Sequence, residues 1–68
     1  MVVHEDIEQA LEEQAGIYAV AERHGDVITL SGLISSEAER DRALEIAAAM
    51  APGNLIVDNL EIATLVAV

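Results

Sequence analysis

The stretch from residue 24 to residue 47, HGDVITLSGLISSEAERDRALEIA, constrains the fold more than any other segment of the chain. Its first three residues form a turn signal, and the run VITLSGLI that follows is typical of a β-strand with two distinct faces. Ser36 and Glu39 have the spacing of a capping box, which predicts that a helix begins directly after the strand. One face of the strand holds Ile28, Leu30, Gly32 and Ile34, and the other holds Val27, Thr29, Ser31 and Leu33.

The segments before this stretch predict a first helix and a first strand. Residues 4–14 are typical of an acidic helix with a narrow apolar stripe, and Gly16 is placed to end it. Residues 17–23 favour a strand. The short turn around Gly25 should pair that strand with residues 27–34 as an antiparallel hairpin. The predicted apolar stripe of the helix is Ile7, Ala10 and Leu11.

A third strand is predicted from Leu55 onward, after a proline and a glycine end the second helix. Leu55 and Val57 share one parity along this strand. Leu60 and Ile62 have the opposite parity, so we expect a β-bulge at residues 58–59 that brings both pairs to one face.

The predicted order is α-β-β-α-β. We expect an α+β fold in which two helices pack on one face of a three-stranded mixed sheet. We expect a single domain over residues 1–68, with its core at about 4–62. The apolar tail at 63–68 either extends the third strand or contacts another chain. The second helix should bury a stripe of Ala43, Ile46, Ala47 and Met50, flanked by Leu44.

Composition excludes several kinds of site and partner. The chain has 68 residues and a single aromatic residue, Tyr18. Because it has no cysteine, it can form neither a disulfide nor a thiolate zinc site. Its net charge is −10, from 13 acidic residues against 3 basic ones. So acidic a chain repels phosphate backbones. We therefore expect no nucleic-acid partner, and electrostatic docking to an anionic membrane is disfavoured.

No segment has the features of a membrane anchor or a signal peptide. No apolar run reaches the length of about 18 residues that a spanning helix needs. The first residues, MVVHEDIEQAL, carry acids where a signal peptide has a basic region. As the chain stands we expect a cytoplasmic protein, or a periplasmic or envelope one if the chain is excised from a longer protein.

Residues that often carry catalysis or bind metals form no recognisable motif in this chain. His24 lies beside Asp26, but one histidine and one carboxylate are too few ligands for a zinc site, and His4 lies far away along the chain. The serines match no nucleophile motif, so we expect no enzyme and no cofactor. The acids on one face of the first helix leave an alternative, a small cation- or ligand-sensing regulatory domain. Those acids are Glu5, Glu8 and Glu12.

The second face of the strand at 27–34 is the candidate interaction surface. If the first face packs against the helices, apolar groups on the second face stay uncovered, and such patches often mark interaction sites. Together with the apolar tail, this favours association with a second copy of the chain, as a homo-oligomer, or with a companion domain. The candidate residues are Tyr18, Val27, Thr29, Leu33, Leu65 and Val66.

The acidic first helix, the long run through LSG and SSEAER, and the later VDNLEI together resemble the BON domain family. The resemblance covers about residues 4–62 and implies an αββαβ fold without a catalytic site. It also implies a bacterial envelope context, including osmotic stress, and a role in binding membrane phospholipid or envelope proteins. The residues that carry it are Gly25, Val27, Leu30, Gly32, Ser36, Glu39, Arg40, Ala43, Ala47, Val57, Asn59 and Leu60.

Overall fold

The computed structural model describes residues 3–63, which form two helices and one three-stranded sheet. The strands lie in the order β1-β2-β3, with β1 antiparallel and β3 parallel to β2. This confirms the predicted α+β fold and its element order. The elements are α1 (Val3–Ala15), β1 (Val20–His24), β2 (Val27–Ile34), α2 (Glu37–Met50) and β3 (Leu55–Ile62).

The hydrophobic core lies between the two helices and one face of the sheet. Ile28 and Leu30 of β2 are fully buried there, which confirms the predicted inner face of the strand. The predicted stripe of α2 is one turn too long, because Met50 is 37% exposed and Ala51 is buried in its place as the helix ends. The buried residues are Ile7, Ala10, Leu11, Ile17, Ala21, Ile28, Leu30, Ile34, Ala43, Ile46, Ala47, Ala51 and Leu60.

The first strand begins later than the sequence predicts, at Val20. Gly16 takes a positive φ of 66° and its N–H bonds to the carbonyl of Glu12 at 3.1 Å, which ends α1 as an αL motif. The N–H of Ile17 then bonds to the carbonyl of Leu11 at 3.0 Å. Ile17 therefore belongs to the end of the helix and to the core, although its β-branched side chain favours a strand.

The hairpin and the second helix begin as their local sequences predict. Gly25 takes a φ of 63° at the first loop position, as a type II′ turn requires. At the start of α2, the Glu39 N–H donates to Ser36 Oγ at 3.3 Å. The Glu39 carboxylate accepts a hydrogen bond from the Ser35 N–H at 3.1 Å, one residue before the cap itself. These reciprocal bonds fix the point at which the chain changes from strand to helix.

The expected bulge in β3 is absent, so that prediction is wrong. The parallel register runs without a break from Val27 opposite Leu55 to Ile34 opposite Ile62. Leu55 therefore points away from the helices, and Asp58 points toward them. An uninterrupted ladder is possible because the inward carboxylate has partners on the protein, whereas the sequence pattern assumes that an acid faces water.

Gly32 marks a close approach of two backbones. It has a φ of +141°, and a Cβ at this position would lie 3.3 Å from both the Cα of Ala19 and the carbonyl oxygen of Tyr18. The segment that leads into β1 therefore lies directly against β2 at this point. This confirms the interpretation of Gly32 as an architectural residue that lets a neighbouring backbone come close.

Replacing Gly32→Ala should lower the free energy of unfolding by about 1–3 kcal/mol, because the new methyl group meets backbone and the φ is strained for an L-residue. The matched control is Gly53→Ala, where nothing lies within 4 Å of the Cβ position. That change should stay within about 0.5 kcal/mol. Urea denaturation followed by circular dichroism measures both, and equal stability of the two variants would contradict the prediction.

Candidate interaction surface

The face of the sheet that lies opposite the helices, called the open face below, is the candidate functional site. Alternation along the strands sends every second side chain to this side, and no helix within residues 3–63 covers it. Its residues are Val20, Glu22 and His24 of β1, Val27, Thr29, Ser31 and Leu33 of β2, and Leu55, Val57, Asn59 and Glu61 of β3.

Two apolar groups lie at opposite ends of the open face. At one end, Val27 pairs in register with Leu55, and the next β3 side chain on this face is Val57. At the other end lie Val20 and Leu33. Leu33 is 65% exposed, Leu55 63% and Val20 52%. Such exposure leaves much of each side chain free to contact a partner.

The structure places several of the predicted surface residues on the same face of the sheet. Val27, Thr29 and Leu33 all point to the open face, with Leu33 the most exposed of the three. Tyr18 lies just before β1, is 75% exposed, and has its backbone beside Gly32 at the end where Leu33 lies. The remaining two predicted residues, Leu65 and Val66, lie outside the described residues.

Sequence reasoning missed Val20, Leu55 and Val57 as members of this surface. The expected bulge would have turned Leu55 and Val57 toward the helices, and the unbroken register turns them outward. Ile56, Leu60 and Ile62 share one parity, and this apolar set was the signal that could have placed Leu55 and Val57 on the other face. Val20 could have been found from its parity in the hairpin, where it pairs with Ser31.

The ionisable side chains on the open face are two glutamates and one histidine, His24. Glu22 lies on β1 and Glu61 on β3, so carboxylates flank the central strand on both sides. His24 Nε2 lies 3.6 Å from Glu22 Oε2, and both side chains are well exposed. The arginines lie elsewhere: Arg23 shares the helix-facing parity of Ala21, and the other two belong to α2.

The acids of the first helix do not converge on a cation site. Glu8 Oε2 accepts a hydrogen bond from the backbone N–H of Ala21 at 2.7 Å, so this carboxylate connects α1 to β1. Glu5 and Glu12 are exposed. Within residues 3–63, no group of three potential ligands could hold a metal ion. No local pattern predicted the role of Glu8, because its partner comes much later in the chain.

An open groove of about 320 Å³ lies between α1 and the end of α2. Its carboxylates include that of Glu13, which already accepts a hydrogen bond from Gln9 Nε2 at 3.3 Å. Besides Glu13, the lining residues include one further carboxylate, that of Asp6. The groove is lined by Asp6, Gln9, Ala10, Glu13, Gln14 and Met50.

Comparison with known protein families adds a finding that geometry alone does not give. The family model described as BON domain matches residues 2–64, which is nearly the whole chain. The chain belongs to the BON domain family. BON domains are generally non-catalytic binding modules, which agrees with an open apolar face. A comparison with curated protein sequences finds no match. Neither α1 nor α2, the helices within residues 3–63, has the length and apolar character needed to cross a bilayer.

Replacing Glu8→Ala should lower the free energy of unfolding by about 1–3 kcal/mol, because the part-buried Ala21 N–H loses a charge-assisted acceptor. Glu12→Ala is the matched control: it removes an exposed carboxylate from the same helix and should change stability by no more than about 0.5 kcal/mol. Urea denaturation and amide exchange at Ala21 report the difference. Unchanged exchange at Ala21 in Glu8→Ala would count against a structural role for this carboxylate.

Proposed function

We propose that this chain is a non-enzymatic interaction module that binds another protein through the open face of its sheet. The observation that supports the proposal is the exposure of Val20, Leu33 and Leu55, each more than half exposed. Apolar surface in water carries a free-energy cost of about 25 cal/mol per Å², and binding a complementary surface removes it. A rigid sheet also presents these side chains in a fixed arrangement, so little entropy is lost on binding.

The partner we propose is a different protein whose contact surface has two apolar patches, one for each end of the open face, and a rim of basic side chains. Glu22 and Glu61 flank the central strand and attract such a rim. The three arginines of the chain point elsewhere. A second copy of the chain is less favourable as a partner, because each copy carries a net charge of −10 and acids at the same two places.

The bacterial membrane context that the family resemblance implies is indirect in this proposal. Anionic headgroups repel a chain with 13 acidic residues, and the acids on the open face would have to approach the lipid together with the apolar groups. Contact with an envelope protein avoids this repulsion. The membrane association of the module would then depend on where its protein partner is located.

A synthetic amphipathic helix of leucine and lysine serves as a probe for this chemistry, and its leucine–glutamate counterpart serves as the charge control. In NMR titrations, the basic peptide should shift the amide signals of Val20, Val27, Leu33, Leu55 and Val57, and the acidic peptide should not. Leu33→Asp combined with Leu55→Asp should abolish these shifts. Ala49→Asp adds an acid at an exposed position of α2 and should leave them unchanged.

Several results would contradict the proposal. Shifts confined to the acids of α1 would show non-specific attraction of the basic peptide. A stable dimer in light scattering that dissociates in the Leu33→Asp, Leu55→Asp variant would assign the open face to a second copy. Co-sedimentation with phosphatidylglycerol vesicles that Leu33→Asp abolishes would assign it to lipid.

A further inference from the structure

β1 and β3 form the two edges of the sheet, and each edge has backbone N–H groups that point outward. In β3 the direction follows from the ladder. The N–H of Leu55 bonds to the carbonyl of Asp26 at 2.8 Å, and that of Ala63 bonds to the carbonyl of Ile34 at 2.7 Å. Odd-numbered amides of β3 therefore face β2, and even-numbered amides face away from the sheet. An exposed row of this kind can pair with a strand of another chain.

Asp58 occupies the middle of this edge in an unusual way. Its register partner is Leu30, which is fully buried, so Asp58 points toward the helices from an edge strand. One carboxylate oxygen, Oδ1, accepts a hydrogen bond from the outward N–H of Leu60 at 3.0 Å. The other, Oδ2, lies 3.3 Å from Arg40 Nε of α2. The side chains of Asp58 and Arg40 are both about one-third exposed.

The β1 edge has a comparable arrangement. The outward N–H of Ala21 donates to Glu8 Oε2 at 2.7 Å, so a carboxylate from α1 occupies the position that an added strand would need. Each edge of the sheet thus has one outward amide bonded to a carboxylate of the same chain. Inward-pointing charges on edge strands are a known means of preventing sheets from pairing edge to edge.

We infer that Asp58 prevents the β3 edge from pairing with the β3 edge of a second copy. An added strand would have to take the Leu60 N–H from the carboxylate and cover the charges of Asp58 and Arg40, which costs desolvation free energy. An antiparallel pair centred on residues 58–60 would also set two copies of Asp58 close together. Pairing of two copies of this chain through their β3 edges is therefore disfavoured.

The inference is independent of the proposed function, because strand addition uses the edge of the sheet and not its face. The Leu33→Asp variant provides a background in which contacts through the open face are weakened while the sequence of β3 is kept. In this background, Asp58→Ala leaves the Leu60 amide free on a strand rich in leucine, isoleucine and valine. Glu61→Ala is the matched control, since it removes one negative charge from the same strand on the open side.

Light scattering over a range of concentrations tests the inference. The Asp58→Ala variant should rise from the monomer mass toward twice that mass or more, and Glu61→Ala should remain monomeric. Asp58→Asn, which keeps an acceptor oxygen, should rise less than Asp58→Ala. An Asp58→Ala variant that keeps the circular dichroism of the parent and remains monomeric at every concentration would overturn the inference.

Amide exchange in the unmodified chain gives a second test that needs no variant to fold. Ile56 and Leu60 both have outward amides, but within residues 3–63 only that of Leu60 has a carboxylate acceptor. The Leu60 amide should exchange about tenfold more slowly than that of Ile56, each relative to its unstructured rate. Equal protection of the two amides would mean that Asp58 does not close the edge, which would also overturn the inference.

Discussion

The burial of Ile28 and Leu30 between the sheet and both helices is the interaction on which the rest of the structure depends. These side chains lie on the central strand, and the core residues of α1 and α2 collect around them. The core has no aromatic group, and α2 contributes two alanines, Ala43 and Ala47, to its buried side. Small side chains let a helix lie close to a sheet, so even a short chain can pack its helices densely against one face of the sheet.

One layer of helices is also what makes the opposite face available. Within residues 3–63 both helices lie on one side of the three-stranded sheet, so no helix of this part of the chain covers the second face. Leu33 and Leu55 are therefore exposed because they lie on the face opposite the helices, in a register that has no local irregularity. The carboxylates of Glu22 and Glu61 lie on this face and the guanidinium groups do not, so the charge beside its apolar side chains is negative.

The agreement between sequence and structure is best where a local pattern decides the outcome. The bounds of β2 and the start of α2 follow from strict alternation and from a capping box, both of which involve neighbours in the chain. Prediction failed where distant groups compete. Ile17 favours a strand by its shape, yet its N–H completes the end of α1. Asp58 suggested a bulge, yet Arg40 from another element makes an inward carboxylate acceptable.

The sequence by itself determined the order of the elements, the inner and outer faces of β2, and membership of the BON domain family, because all three depend on short-range patterns and their spacing. Only the tertiary structure decided the register of β3, the exposure of Leu55, and the roles of Glu8 and Asp58 at the sheet edges. The physical reason is that the register is decided by the difference in free energy between alternative pairings of distant segments, and the edge contacts depend on that register. The Glu8–Ala21 bond and the Asp58–Arg40 contact join distant segments, and the Leu60 N–H, although close to Asp58 in sequence, faces outward only in this register.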